Sequence, residues 1–334
     1  MLVGSRHRGT HLNFWQRFDV RRIEDLANAV LGADLDVVQM PGPRVRGSLA
    51  FAACRGVLFS SGLIEGHVSL SGPLCQDAIT LGIGLRFGPN SWLGLTPVRN
   101  GHIGVVLPGD RSEAWLSAGS LYVTATLSAQ RLEEEAERAG LVFNRRMTSR
   151  TGLHPQPIVP PSLVSLTRQV ASIHSDSTTT NDDANAEVGF RVLHTIIERY
   201  ACAPPVGDGR LRPARYAAIV YRARRYIGEH LAEPITLDRI AAAVSISPRT
   251  LSRAFVDVLS DTPGDYVRRV RLHRIRRDLV VQQQETRTIA TIAARWGLQE
   301  PARMSHCYGE MFGELPGDTQ AAALARRRLT NELL

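Results

Sequence analysis

The sequence predicts an α+β protein: an N-terminal cupin-like β-barrel or sandwich with following helices, then a C-terminal all-α domain of two helix-turn-helix units joined by a long helix. Three observations predict it. Residues 34–127 are short apolar runs broken by Gly and Pro at about ten-residue intervals, a pattern of antiparallel strands. A helix-turn-helix pattern occurs twice near the end of the chain. The net charge of +8 lies wholly in the last part: residues 1–209 hold 19 Arg and 19 acidic residues, residues 210–334 hold 21 and 13.

A chain of 334 residues exceeds what one small core organises, and two domains are expected. Hydrophobic content of 43% and charged content of 22% suit a soluble globular protein. No run of eighteen or more apolar residues suggests a membrane span, and "MLVGSRHRGTHLNFWQRFDV" lacks the apolar segment of a secretory leader. A cytoplasmic location is expected. Cys54, Cys75, Cys202 and Cys307 are far apart and form no CxxC, so they read as thiols in a reducing compartment. Every basic residue counted is Arg; the lack of Lys carries no functional reading.

The β-rich region comprises "LDVVQMPGP", "GSLAFAACRGVLFSSG", "HVSLSGP", "AITLGIGLRFGPN", "HIGVVLPGD" and "SLYVTATLS". Helices are expected over 128–201. Ser128 can cap the first and Gly140 can end it. Leu163, Leu166 and Val170 give 161–174 one apolar face, and Val192, Ile196 and Ile197 do the same for 188–201. Between them, 175–187 is polar and reads as a loop or disordered segment. Residues 1–203 thus form one domain, and "PPVGDGRLRP" (204–213) is a linker. Everything after it reads as helix: 214–231, 236–243, 248–258, 263–281, 288–295 and 300–312. The domain is drawn at 214–320, with 321–334 as a tail.

In the first repeated unit, Leu237, Ile240, Ala241 and Val244 follow helical spacing. Ser247 is a good N-cap, and Pro248 suits the first helical position, where a missing N–H costs nothing. The next helix buries Leu251, Ala254, Phe255 and Val258 and presents Arg249, Ser252 and Arg253 outward. In the second unit Gly297 sits at the turn, where a left-handed backbone is cheap for Gly alone. Met304, Tyr308, Met311 and Phe312 face inward there, and Arg303 and His306 outward. The connector "TPGDYVRRVRLHRIRRDLV" is dense in Arg. About eighteen helical residues span about 27 Å, so with helix widths added two recognition helices reach successive major grooves about 34 Å apart. Arg268, Arg269, Arg271, Arg274, Arg276 and Arg277 are candidates for phosphate contact, although Arg271 could equally pair with Asp238 or Asp278. Tyr266, Val270 and Leu279 read as core.

The stretches "ITLDRIAAAVSISPRTLSRAFVDVLSDTPGDYVRRVRLHRIRRDL" and "TIATIAARWGLQEPARMSHCYGEMFGELPGDT" resemble the C-terminal DNA-binding domain of the AraC/XylS family of bacterial transcription regulators. The shared features are Ser-Pro-Arg-x-Leu-x-Arg-x-Phe at Ser247 to Phe255, Pro-x-x-Tyr followed by Arg-Leu at Pro263 to Leu272, Ile292-Ala293, Gly297-Leu298, and Phe-Gly-x-x-Pro at Phe312 to Pro316. The resemblance covers about 100 residues. It implies base reading by Arg249, Ser252, Arg253, Pro301, Arg303 and His306, and phosphate contact by Thr250, Arg268, Arg269, Arg274, Arg277 and Gln299. It also implies double-stranded DNA and RNA polymerase as partners and activation as the usual output. Residues 30–200 are diffusely similar to that family's effector and dimerisation half. That likeness implies a small-molecule effector, and a homodimer contact through 161–174 and 188–201 unless those stripes pack on the barrel. Four departures stand out: Ser245 where Gly is frequent, Ala302 for Ser, His306 for Arg, and Thr319-Gln320 for Tyr-Arg. Gly309 lies inside the second recognition helix and weakens it by about 1 kcal/mol relative to Ala. The first unit is therefore expected to dominate discrimination.

No enzyme is expected. "GIGLRFG" (82–88) lies in a β region and opens no helix, unlike a dinucleotide fingerprint. His67, His102, Glu65 and Asp110 have no metal-ligand spacing, so no metal and no cofactor are expected. The rival readings are a non-enzymatic helical protein that binds RNA or protein, and a β-barrel enzyme with a DNA-binding tail.

Overall fold

The computed structural model describes residues 15–141, 151–154, 157–175, 182–201, 215–281 and 288–331. The chain forms two compact units, Met1–Arg212 and Pro213–Leu334. The linker read at 204–213 lies outside the described residues.

The first unit is a sandwich of two antiparallel sheets and not a closed barrel. The strands are β1 (Gln16–Val20), β2 (Asp36–Gln39), β3 (Gly47–Cys54), β4 (Val57–Ile64), β5 (Val68–Pro73), β6 (Ile79–Arg86), β7 (Trp92–Leu93), β8 (Thr96–Pro97), β9 (Ile103–Val106), β10 (Arg111–Leu116), β11 (Ser120–Leu127) and β12 (Gly152–Leu153). One sheet has the order β1-β3-β4-β11-β6-β9-β12, the other β2-β5-β10-β7-β8. Among the described residues, strand structure thus begins at Gln16, upstream of the expected 34. The first strand, QRFDV, has one buried residue among five, too weak an apolar pattern to stand out as a strand.

Strand alternation gives the larger sheet two different faces. Leu81, Ile83 and Leu85 of β6 and Val123 and Ala125 of β11 pack into one core with three helices. These are α1 (Ala129–Arg138), α2 (Pro160–Ile173) and α3 (Asp182–Ala201). Ser128 caps α1, its side chain accepting from Arg131 N. Leu166 and Val170 of α2 and Val192, Ile196 and Ile197 of α3 belong to that same core. The apolar stripes of both helices therefore lie against the sheet. α3 also begins six residues before the expected 188, taking in part of the polar segment.

A buried polar pin joins the end of α2 to the sheet. His174, its C-cap residue, is 5% exposed. Its Nδ1 lies 2.7 Å from Ser48 Oγ and its Nε2 2.8 Å from Ser61 Oγ. Ser61 donates its single hydroxyl hydrogen to Tyr122 O. The ring must then donate from Nε2 and accept at Nδ1 from Ser48. Burial, aided by Arg17, lowers the His174 pKa to about 4.

The second unit is all helix: α4 (Arg215–Glu229), α5 (Leu237–Ala243), α6 (Pro248–Leu259), α7 (Pro263–Val281), α8 (Ile289–Arg295), α9 (Pro301–Phe312) and α10 (Pro316–Asn331). α7 is central. It buries Tyr266, Val267, Val270, Leu272, His273, Ile275, Arg276 and Leu279, more of its circumference than one amphipathic stripe covers. Its arginines differ accordingly from a uniformly exposed basic rod. Arg276 is 5% exposed at its side chain and donates to Glu314 Oε1 at 2.7 Å. Its guanidinium lies 4.6 Å from the centre of the Phe312 ring. α10 runs past the boundary drawn at 320, with Ala323 buried.

Candidate nucleic-acid interface

Two helix pairs, α5–α6 and α8–α9, are built alike. Thr236 caps α5 by accepting from Arg239 N, and Thr288 caps α8 by accepting from Thr291 N. Each first helix ends in the same hydrogen-bonded turn. Ser245 N donates to Ala242 O and Ile246 N to Ala241 O; Gly297 N donates to Ala294 O and Leu298 N to Ala293 O. Ser245 and Gly297 are both left-handed, with φ of 58° and 72°. Ser245 thus takes the backbone that Gly takes cheaply, at a cost of about 1 kcal/mol.

The second helix of each pair has Pro at its start and a left-handed residue at its C-cap, Ser260 (φ 51°) in α6 and Gly313 (φ 75°) in α9. Each has 12 residues, which fixes the correspondence between them. Leu251, Ala254, Phe255 and Val258 are buried on α6, and Met304 and Tyr308 on α9, as the periodicity required. Met311 and Phe312 are half-buried. Arg249 and Arg253 are exposed on α6 with Ser252 half-buried beside them; Pro301, Arg303 and His306 are exposed on α9 and Gln299 just before it. The fold therefore sets Arg249, Ser252 and Arg253 on one helix surface. On α9 the residues equivalent to them are Ala302, Ser305 and His306. Ser305, half-buried like Ser252, was missed by sequence reading. Counting both helices from their N-terminal prolines would have found it.

The two surfaces differ in charge. α6 offers Arg249 and Arg253 against Asp257, whereas α9 offers Arg303 and His306 between Glu300 and Glu310. His306 Nε2 lies 3.5 Å from Glu310 Oε1. Ser247 accepts from Thr250 N and pairs with Thr250 Oγ1 at 2.9 Å, so the Thr250 hydroxyl is already engaged at the cap. Glu300 gives α9 no side-chain cap.

The α7 arginines divide by partner. Arg268 pairs with Asp265 at 2.8 Å on the surface. Arg269 pairs with the buried Asp261 at 3.1 Å; burial raises the Asp261 pKa and Arg269 opposes the shift. Arg271 pairs with neither Asp238 nor Asp278. It donates to the carbonyls of Leu231, Glu233 and Gly297, joining the chain before α5 to the turn between α8 and α9. Asp278 instead accepts from Trp296 Nε1 and faces Arg295. Arg274 is half-buried and Arg277 exposed. Arg271 and Arg276 are thus committed to the interior of the unit by the groups they hold.

Elsewhere, no three His, Cys, Asp or Glu residues gather in metal-binding geometry among the described residues. Among those residues no helix is long and apolar enough to cross a membrane.

Residues 240–322 match a family model described as a helix-turn-helix domain. The regulatory protein HrpB of Ralstonia nicotianae is 33% identical over 107 residues, covering 32% of this chain and 22% of that protein. The XylDLEGF operon transcriptional activator of Pseudomonas putida is 36% identical over 98 residues, covering 29% of this chain and 30% of that protein. The match spans less than a third of either relative's length. A transcriptional regulator of Chromobacterium violaceum with an AraC-type DNA-binding domain aligns at 27% identity over 32% of this chain and 92% of that one, with a TM-score of 0.30. The C-terminal unit thus carries two helix-turn-helix pairs and is similar, over about 100 residues, to the matching part of these regulators, as its resemblance implied.

Proposed function

We propose that the whole chain is a sequence-specific, DNA-binding transcription regulator, most simply an effector-responsive activator, and not an enzyme. One observation carries this reading: two similarly built helix pairs, each with an exposed polar surface beginning at its second helix's N-terminus. In helix-turn-helix proteins that end of the second helix contacts base edges in the major groove. Arg249, Ser252 and Arg253 are the base-reading set of the first pair. Pro301, Arg303 and His306 serve the second, and Ser305 joins them by its equivalence to Ser252. Thr250, Arg268, Arg269, Arg274, Arg277 and Gln299 supply backbone contacts; Arg269 must do so beside Asp261. RNA polymerase as partner, a homodimer through the N-terminal unit, a small-molecule effector within that unit and a cytoplasmic location complete the proposal.

Selection of bound sequences from random duplex DNA, with the full chain and with residues 210–334, tests it. Both should enrich one bipartite site, and affinity should fall steeply with salt as phosphate counterions are released. No preference among duplexes would leave the helical interaction protein as the better reading.

A further inference from the structure

The face of the larger sheet turned away from the helices borders an apolar cavity of about 130 Å³ between the two sheets. Small residues make the room. Gly82 of β6 is directly opposite Gly104 of β9 in the ladder, and both line the cavity with Gly84. A Cβ on Gly82 would stand 3.2 Å from Thr124 Cγ2, and one on Gly84 would overlap the Phe87 ring. "GIGLRFG" is thus explained by packing: Gly82 leaves space on one face, Gly84 admits the Phe87 ring there, and Ile83 and Leu85 fill the other face. The volume approaches that of an engineered cavity of 150 Å³ that admits benzene.

The wall carries no Asp, Glu, Lys or Arg. Several of its polar side chains already have partners, His102 Nδ1 among them, which accepts from Arg99 N at 3.4 Å. Thr80 Oγ1 pairs with Thr126 Oγ1 at 2.9 Å, and Tyr122 OH donates to Ala29 O at 2.7 Å. Trp92 is different. It lines the cavity, and its indole Nε1, shielded from solvent, has no hydrogen-bond acceptor among the described residues. A buried donor without an acceptor costs about 1–3 kcal/mol, so something else is expected to supply one. A surface cleft shares Phe87, Trp92 and Val98 with the cavity, so these three side chains separate it from solvent on that side.

We infer that this cavity binds a compact, uncharged, largely apolar ring compound bearing one hydrogen-bond acceptor, to which Trp92 Nε1 donates. This rests on the effector reading above and gives that effector a chemistry. His102 also lines the wall, but burial and then Arg99 lower its pKa, which keeps the imidazole neutral, so a carboxylate finds no cation there; a sugar's many hydroxyls find too few partners.

The test titrates the purified full chain with cyclohexanone, cyclohexane, cyclohexanecarboxylate and arabinose, by calorimetry and by the shift in unfolding temperature. Cyclohexanone should bind and stabilise most, cyclohexane more weakly, and the other two not at all. Trp92→Phe should weaken cyclohexanone about tenfold, the worth of one hydrogen bond, and leave cyclohexane unchanged. Gly82→Val, which fills the space, should abolish both while duplex selection by the same sample persists. Cyclohexanone binding no better than cyclohexane, indifference to Trp92→Phe in a folded variant, or preferred binding of the carboxylate overturns the inference. Should ring compounds fail while a preferred duplex is still selected, the inference falls alone. Should ring compounds bind while no duplex is preferred, the cavity's chemistry stands and the regulator reading falls.

Discussion

The Arg271 guanidinium lies against the backbone of Gly297, and a Cβ on that glycine would stand 3.0 Å from its central carbon. The same glycine is left-handed, at φ 72°. The backbone therefore favours Gly297, and a Cβ there would also press on the Arg271 guanidinium. Gly297→Ala should destabilise the C-terminal unit by at least 1 kcal/mol, roughly the left-handed penalty alone. The first turn faces no such contact: Ser245 has the same backbone sign and is exposed. Ser245→Gly should raise stability by about 0.5–1 kcal/mol. Urea unfolding of the two variants checks both signs.

Arg276 and Glu314 bind α7 to the segment leading into α10. Their side chains are 5% and 34% exposed, and Tyr308 OH and Thr319 Oγ1 complete the network at 2.8 Å from each other. Removing Glu314 leaves a buried guanidinium without its carboxylate. Because water reaches Glu314, the cost of Glu314→Ala falls below that of a fully buried pair, to about 2 kcal/mol. Replacing Arg276 by Met, which removes the charge and keeps the volume, should cost less. Equal losses in the two variants would show that the pair itself stabilises, beyond the penalty of stranding a charge.

His174 gives the N-terminal unit an acid sensitivity of defined sign. Its pKa is about 4 when folded against 6.5 as the ordinary value. The unfolded chain binds the proton more readily, so stability from this site is full above about pH 6.5 and is lost as pH falls towards 4. The whole effect is about 3 kcal/mol. His102, its pKa also lowered by burial and then by Arg99, acts in the same direction. Comparing the full chain with His174→Asn isolates one of them: the slope of stability on pH between 6.5 and 5 should be shallower in the variant. Parallel slopes would show that His174 is not held neutral.

The repeated units were legible because each rests on local rules: Thr and Ser caps, prolines at helix starts, a left-handed turn and an apolar stripe. Those rules act within about fifteen residues and leave their mark in sequence. The fates of Arg269, Arg271 and Arg276 were not legible, because Asp261, Gly297 and Glu314 reach them only once α7 is packed at the centre. Charge density along a helix says how many cations there are, not which way each points. Likewise the glycines of β6 read only as part of a β region, and the place of Gly82 opposite Gly104 needed the strand order. The cavity follows from pairing across strands, which periodicity along one strand does not contain.

Ser305 tests the correspondence between α6 and α9. If both helices enter the major groove alike, Ser305 has the place of Ser252, and Pro301 sits one position before the residue equivalent to Arg249. Ser305→Ala should then change base preference in the second half-site, whereas Pro301→Ala should leave it nearly unchanged. Sequence selection with each variant gives the answer. A larger change from Pro301→Ala would mean that the longer second turn rotates α9 relative to α6.

Arg253 separates base reading from charge. It is exposed on α6 and holds no carboxylate, so its guanidinium is available for a bidentate contact to guanine O6 and N7. Arg253→Ala should cost about 1–3 kcal/mol on the selected duplex and relax preference at one position of the first half-site. Arg274→Ala on α7 should instead weaken all duplexes alike and reduce the salt slope by about one. Because α9 sets Arg303 and His306 between Glu300 and Glu310, His306→Ala should cost less than Arg253→Ala. Binding titrations at several salt concentrations, on the selected site and on scrambled competitor, resolve the three variants. A uniform loss from Arg253→Ala would reassign that residue to the backbone and shift sequence reading to Arg249 and Ser252.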